Sequence, residues 1–253
     1  HTFANESRVS LFRNEVNRGR VGNYQRLFHE LGAGADWILN LDGDDHYTDR
    51  HFITRALDAI HANGGAGEIV LYHYQFDITP LKDKGMKLGE HAVLTDGAEY
   101  VIQRPLVRSF YHLGAMVNRK AAEGSGFYSY PSLNTDALSI QEVALRGKVI
   151  VDDRQIGEWS LKANSETRRS FSELEKERYE IANRSFLQIL KASLSDDQMG
   201  RYLGNLGITE AKEEIVSLLR GRQFSRALRS LRKHPLAFRH FGREIIKVAL
   251  GVD

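Results

Sequence analysis

A chain of 253 residues with 42% apolar and 27% charged side chains has the size and composition of one α/β domain plus an appendage, which excludes wholesale disorder. It contains no cysteine, so disulfides, zinc–thiolate centres and thiol nucleophiles are excluded, and the composition is compatible with a reducing cytoplasm. The net charge of +2 conceals an asymmetry: Arg220–Lys247 carries nine Lys or Arg against the single acid Glu244, a local +8, and the remainder of the chain carries −6.

In chain order, Arg8–Phe12 reads as a short strand and Arg13–Gly22 as a loop rich in Asn, Gly and Arg. A helix is expected over Asn23–Leu31, stopped by Gly32 and Gly34. Trp37–Leu41 is an apolar run between turn signals, the pattern of a central buried strand, and it ends abruptly in Asp42-Gly43-Asp44-Asp45. A helix over Asp49–Ala62, a Gly-rich turn and a strand over Glu68–Ile78 complete an α/β alternation. Thr79–Ser132 is less regular, with a Lys/Gly loop at Lys82–Gly89, a strand at Leu113–Arg119 and an aromatic-bearing loop at Gly124–Ser132. Asp136–Arg146 reads as a helix stopped by Gly147, and Lys148–Val151 as a strand.

From Ser170 the pattern becomes wholly helical. Ser172 and Glu175 form a capping box ahead of Tyr179, Ala182, Phe186, Leu190 and Leu194 at helical spacing. Thr209 reads as the N-cap of a second helix, Phe224–Leu231 as a third closed before Pro235, and Phe238–Leu250 as a fourth. No stretch reaches the roughly 18 apolar residues of a membrane span, and no charged-then-apolar signal segment opens the chain.

The strongest chemical signal is the acidic turn. Ligands of α/β sheets bind beyond the carboxyl ends of strands. Three carboxylates crowded at such an end repel one another unless a cation lies among them, and all-oxygen ligands suit Mg²⁺ or Mn²⁺, which bridge substrate phosphates. The bland alternative is an acidic strand-to-helix turn with Asp49 capping the next helix. The ten histidines show no zinc spacing, and His46, His73 and His112 read as ordinary surface or half-buried residues. Phe127, Tyr128 and Tyr130 either stack on a sugar or belong to the core, the core being preferred. No Walker loop, GxSxG elbow or GxGxxG fingerprint is present.

The stretch from Asn17-Arg18-Gly19 through Asn23 and Gly34-Ala35-Asp36-Trp37-Ile38-Leu39-Asn40-Leu41 to Asp42-Gly43-Asp44-Asp45 resembles the inverting family-2 glycosyltransferases. The resemblance implies a GT-A-like, Rossmann-like mixed sheet flanked by helices: a catalytic domain over residues 1–168, then a helical C-terminal region over 169–253. It assigns Asp42 to the donor's ribose and the metal, Asp44 to the principal metal ligand and Asp45 to an accessory one, and it places Asn17 in the donor loop. Relatives carry Arg just before the helix Asn; Gly22 stands there in this chain, so an arginine contact with the nucleotide falls to Arg20. Downstream, Leu133-Asn134-Thr135-Asp136 resembles the acidic pair that supplies the general base, with Thr135 replacing the first acid and Asp136 matching the second. Read without the resemblance, Asp136 would be a helix cap. Trp159-Ser160-Leu161-Lys162-Ala163-Asn164-Ser165 resembles the end of the catalytic core, with Lys162 at a position where relatives carry His; Lys162 could meet the diphosphate as a point charge or be an ordinary exposed lysine.

The implied activity is transfer of a sugar, with inversion, from a nucleoside-diphosphate sugar to a glycan or lipid-linked acceptor. The family pattern has a strand, helix and strand ahead of the segment that starts at His1, so the expectation is an N-terminally incomplete fragment. A nucleotidyltransferase or a non-catalytic membrane- or partner-binding relative are the alternatives. The basic tail predicts either peripheral contact with the inner face of an anionic membrane or a solvated helical appendage; no nucleic-acid partner is expected.

Overall fold

The computed structural model describes residues 6–43, 45–107, 112–158 and 171–251. Its strands are β1 (Trp37–Leu39), β2 (His46–Tyr47), β3 (Ile69–Tyr74), β4 (Met86–Lys87), β5 (Ala92–Asp96), β6 (Ala115–Asn118), β7 (Lys148–Asp152) and β8 (Gly157–Glu158). Its helices are α1 (Gly19–Arg26), α2 (Phe52–Ala62), α3 (Thr79–Lys82), α4 (Gly97–Gln103), α5 (Arg119–Glu123), α6 (Thr135–Ala144), α7 (Glu173–Ser193), α8 (Asp196–Arg220), α9 (Phe224–Lys233) and α10 (Pro235–Leu250).

Six strands form one mixed sheet in the order β1-β6-β3-β7-β5-β4, and β2 pairs with β8 as a separate ribbon. β3 and β7 are parallel; β6 runs antiparallel to both β1 and β3, and β5 antiparallel to β7 and β4. β1, β3 and β7 therefore finish at the same end of the sheet, and β6 begins there. Every residue of β3 is buried, since helices cover both faces; this includes His73, expected at the surface or half-buried, whose Nδ1 instead lies 2.7 Å from Tyr100 Oη in the core. On one face α2 presents Phe52, Ala56 and Ile60, at helical spacing, to Tyr72, Met116 and Ile150. On the other, Val70, Val117, Val149 and Val151 pack with Tyr24 of α1, Val101 of α4, Leu138 and Ile140 of α6, and Ala182, Phe186 and Leu190 of α7.

The α7 capping box at Ser172 and Glu175 is present as the sequence predicts. Three expectations are corrected. Arg8–Phe12 is exposed coil, with Leu11 96% exposed, because among the described residues no strand lies beside it to take its backbone hydrogen bonds. Among the described residues the strand of the Trp37 run is an edge strand, half-buried and paired only with β6: an apolar run reports cover over a strand's faces, not pairing along both of its edges. Thr209 does not open a helix. α8 starts at Ser195, which makes its own capping box with Gln198, and Thr209 lies mid-helix with Oγ1 donating to the Pro105 carbonyl at 2.6 Å.

That bond belongs to the seam between α8 and the α/β portion. Arg201 pairs with Glu99 at 2.6 Å and Asn205 donates to the Ile102 carbonyl at 2.8 Å. Leu106 inserts among Ala211, Ile215, Phe241 and Ile245 in a small core of its own. The change to all-helical character falls around residues 159–170, outside the described residues.

Candidate active site

The sheet end where β1, β3 and β7 finish gathers side chains from four segments. Asp42 lies just beyond β1. Its Oδ1 accepts from Tyr24 Oη at 2.9 Å and from Asn40 Nδ2 at 3.2 Å. Arg20 and Tyr24 are one turn apart on α1 and so share a face. Arg20 Nε donates to Tyr24 Oη at 3.2 Å, and its Nη2 lies 3.7 Å from Asp42 Oδ2 and 3.6 Å from Asp136 Oδ2. Two carboxylates from distant segments thus face one guanidinium, which supplies the cation that such a pair requires.

Asp136 stands in the first turn of α6, where a negative charge meets the positive end of the helix dipole. The N-cap is Asn134, so Asp136 is not the cap residue; its Oδ1 accepts from the Ala137 N–H at 2.8 Å, and Oδ2 faces Arg20. Thr135, where the family pattern has an acid, is fully buried.

His112, read from sequence as an ordinary surface or half-buried residue, is half-buried and lies among these groups. It precedes β6, and because β6 is antiparallel its start lies beside the end of β1. The imidazole is 9% exposed, with Nδ1 3.3 Å from Asn40 Nδ2 and 3.8 Å from Asp136 Oδ2. Burial lowers its pKa, against the raising influence of Asp136 and Asp42, so the ring is neutral near pH 7. With Nδ1 accepting from Asn40, Nε2–H donates to Tyr128 Oη at 2.8 Å. Tyr128 has φ +59°, a conformation that costs a bulky residue about 1–3 kcal/mol and clusters at functional sites. It is held by its N–H donating to Ser139 Oγ at 2.8 Å and by ring contact with Tyr24 at 4.8 Å. Burial raises the phenol pKa values of Tyr24 and Tyr128, so both remain neutral, Tyr24 donating to Asp42. Phe127, Tyr128 and Tyr130 are all buried, as core residues should be, yet Tyr128 also touches the site.

Other predicted residues stand apart. Asn17 is exposed; its Oδ1 accepts from the Gly19 N–H at 2.8 Å where Gly19 adopts φ +66°, so it shapes the entry to α1. Asp45 closes the acidic turn, its N–H donating to the Asp42 carbonyl at 3.0 Å. Asp44 and Lys162, with all of Trp159–Ser165, lie outside the described residues. Among the described residues no group of three His, Asp or Glu side chains is arranged to hold a metal. Asp152, at the end of β7, is a further buried acid at this end of the sheet. Burial acts to raise its pKa, but hydrogen bonds from Arg154 and Tyr72 outweigh that and hold it low, committing it to structure.

Beside Asp136 a cavity of about 260 Å³ is lined by Arg18, Arg20, Ser132, Leu133, Glu175 and Arg178. Its charged side chains are of both signs: Glu175 accepts from Ser172, Arg18 lies 3.8 Å from Glu30, and Arg20 faces Asp42 and Asp136. From sequence alone Tyr24 and Asn40 have no role, His112 reads as ordinary, and Tyr128 reads as a sugar-stacking or core aromatic. The spacing of Tyr24 four residues after Arg20 was a readable signal; the convergence of His112 was not, because it depends on strand direction. Neither protein-family models nor curated proteins give a match to this sequence.

Proposed function

We propose that the chain is the catalytic portion of an inverting glycosyltransferase of the family-2, GT-A type, moving a sugar from a nucleoside-diphosphate sugar to a hydroxyl of a glycan or lipid-linked acceptor. The observation that supports this reading is the shared engagement of Asp42 and Asp136 by Arg20, at 3.7 and 3.6 Å, which puts the acidic turn and the helix-borne carboxylate side by side. Donor and acceptor must meet between those two segments for sugar transfer to occur. The mixed sheet with helices on both faces is compatible with the GT-A arrangement.

In this reading Asp136 takes the acceptor's proton as the acceptor oxygen bonds to the anomeric carbon. The bond from that carbon to the diphosphate oxygen breaks on the opposite side, which inverts the configuration. Arg20 and the Ala137 N–H fix the carboxylate's orientation. His112, tied to Tyr128 and Asn40, packs against the base with its Nδ1 3.8 Å from Asp136 Oδ2. Arg18 and Arg178 line a neighbouring cavity that shares Arg20 with this group.

The donor chemistry of the acidic turn fits a hard divalent ion: Asp45 is only half-buried, and the turn offers carboxylate oxygens beside the exposed Gly43. Asp44 and Asp45 would hold Mg²⁺ or Mn²⁺, which when bound neutralises charge on the departing diphosphate. The test is calorimetric titration of UDP and GDP into the protein with and without Mn²⁺. Divalent-dependent binding that disappears in Asp44→Ala, with circular dichroism unchanged, is the expected result. A variant that melts while the parent binds no nucleotide would leave the turn a structural feature and end the enzymatic reading.

A further inference from the structure

The basic segment lies on α9 and α10. Their inward faces are narrow: Ala227 and Ser230 of α9, and Ala237, Phe241 and Ile245 of α10, are buried. On α9 the apolar side is wider than the buried strip, so Phe224 and Leu228, four residues apart, remain 56% and 52% exposed. The exposed side of α10 carries Leu236 and Arg239 before its kink at Phe241 and Arg243, Ile246 and Leu250 after it, so aliphatic and cationic side chains are neighbours on each half. Leu250 is 72% exposed. Soluble surfaces scatter single exposed apolar residues; a row of them rimmed by charge marks an interaction site.

The charge on this face is unopposed. Glu244, the one acid of the segment, is half-buried and turned to Lys212 of α8, its Oε1 3.2 Å from Lys212 Nζ. Among the described residues Arg222, Arg229, Arg232, Arg239, Arg243 and Lys247 form no ion pair and stand exposed. Arginines alone would suit any polyanion. The aliphatic Leu228, Leu236, Ile246 and Leu250 distinguish the partner, since they gain nothing from a phosphate chain in water but gain from acyl chains.

We propose that α9 and α10 together form a docking face for an anionic lipid bilayer, with Phe224, Leu228, Leu236, Ile246 and Leu250 entering the headgroup–acyl boundary and the arginines meeting lipid phosphates. This holds whether or not the cleft transfers sugars. Among the described residues no helix is long and apolar enough to cross a membrane. The long side chains of Arg239 and Arg243 can reach headgroups while their stems lie over the apolar row.

The test is co-sedimentation of the whole chain with phosphatidylcholine vesicles and with vesicles containing 30% phosphatidylglycerol, at low and high salt, alongside single-stranded oligonucleotide and poly-glutamate controls. Binding is expected only to the anionic vesicles, falling about tenfold or more at high salt. Arg229→Glu with Arg239→Glu and Arg243→Glu should weaken it by about 100-fold or more. Leu228→Ser with Ile246→Ser, both at exposed positions and checked by circular dichroism, should also weaken it while leaving any oligonucleotide binding unchanged. Failure to bind anionic vesicles overturns the proposal. So does vesicle binding indifferent to the Leu228/Ile246 pair, or tighter binding to oligonucleotide or poly-glutamate than to vesicles, because each leaves the apolar row without a bilayer to enter.

Discussion

Asp42 and Asp136 each lie within 3.7 Å of Arg20, and His112 closes the group from the β6 side at 3.8 Å from Asp136. If Asp136 is the base, Asp136→Asn lowers turnover by about 10²–10⁴, the usual worth of general-base catalysis, with donor affinity nearly unchanged because the residue acts on the acceptor. Steady-state rates beside donor titration check both halves; unaltered turnover would reduce Asp136 to a partner of Arg20. His112 has a consequence for stability. Burial depresses its pKa in the folded state, so between that lowered value and about 6.5 the unfolded chain binds more protons than the native one. Its contribution is fully present above about pH 6.5 and is lost as pH falls through the folded value. Urea midpoints should therefore drop from pH 7 to pH 5, and His112→Gln should show a shallower drop; equal slopes would rule out His112 as the cause.

At the scale of elements, the two helices that follow β5 and precede β7 meet at a glycine. A Cβ on Gly97, at the start of α4, would lie 1.6 Å from the Ala144 carbonyl oxygen at the end of α6. Both atoms are backbone-borne, so the helices must separate to admit it. Gly97→Ala should cost about 3 kcal/mol, at the upper end for overpacking, read as a fall in the denaturation midpoint at unchanged m-value. Because α6 carries Asp136 in its first turn, the same variant should weaken activity more than its stability loss accounts for. The caps of α7 were legible because a capping box is local chemistry: Ser172 and Glu175 are three residues apart. β5 and α4 were not legible within the irregular middle, since five- and seven-residue elements complete too little of a period to stand out.

For the whole molecule, the C-terminal helices divide their allegiance. α7 contributes Ala182, Phe186 and Leu190 to the core beneath the sheet, whereas α8 and α10 enclose Phe241, Ile215 and Leu106 in a second one. Phe241 is 1% exposed, lies at a kink in α10 and has Lys212 Nζ over its ring at 5.1 Å. Phe241→Ala should cost about 3–5 kcal/mol. Since Leu106 belongs to the α/β portion, thermal unfolding of the variant should show the C-terminal helices melting first and the sheet following at lower temperature than in the parent. A single transition at the parental temperature would mean that the second core contributes little.

Local pattern was enough to reveal the α/β character, the acidic turn after the Trp37 strand, the helix bearing Asp136 and the basic tail. These signals depend on residues near one another in sequence: apolar runs, capping pairs, charge counts. The edge position of β1, the arrival of His112 beside Asp136, the bridging of two carboxylates by Arg20 and the inward turn of Glu244 required the folded chain. Each depends on strand direction or on which face of a helix is covered. A sequence carries the periodicity of an element but not the identity of its neighbours: β6 brings His112 to the site only because it runs antiparallel to β1, and the tail's apolar row is exposed only because α8 buries the opposite side.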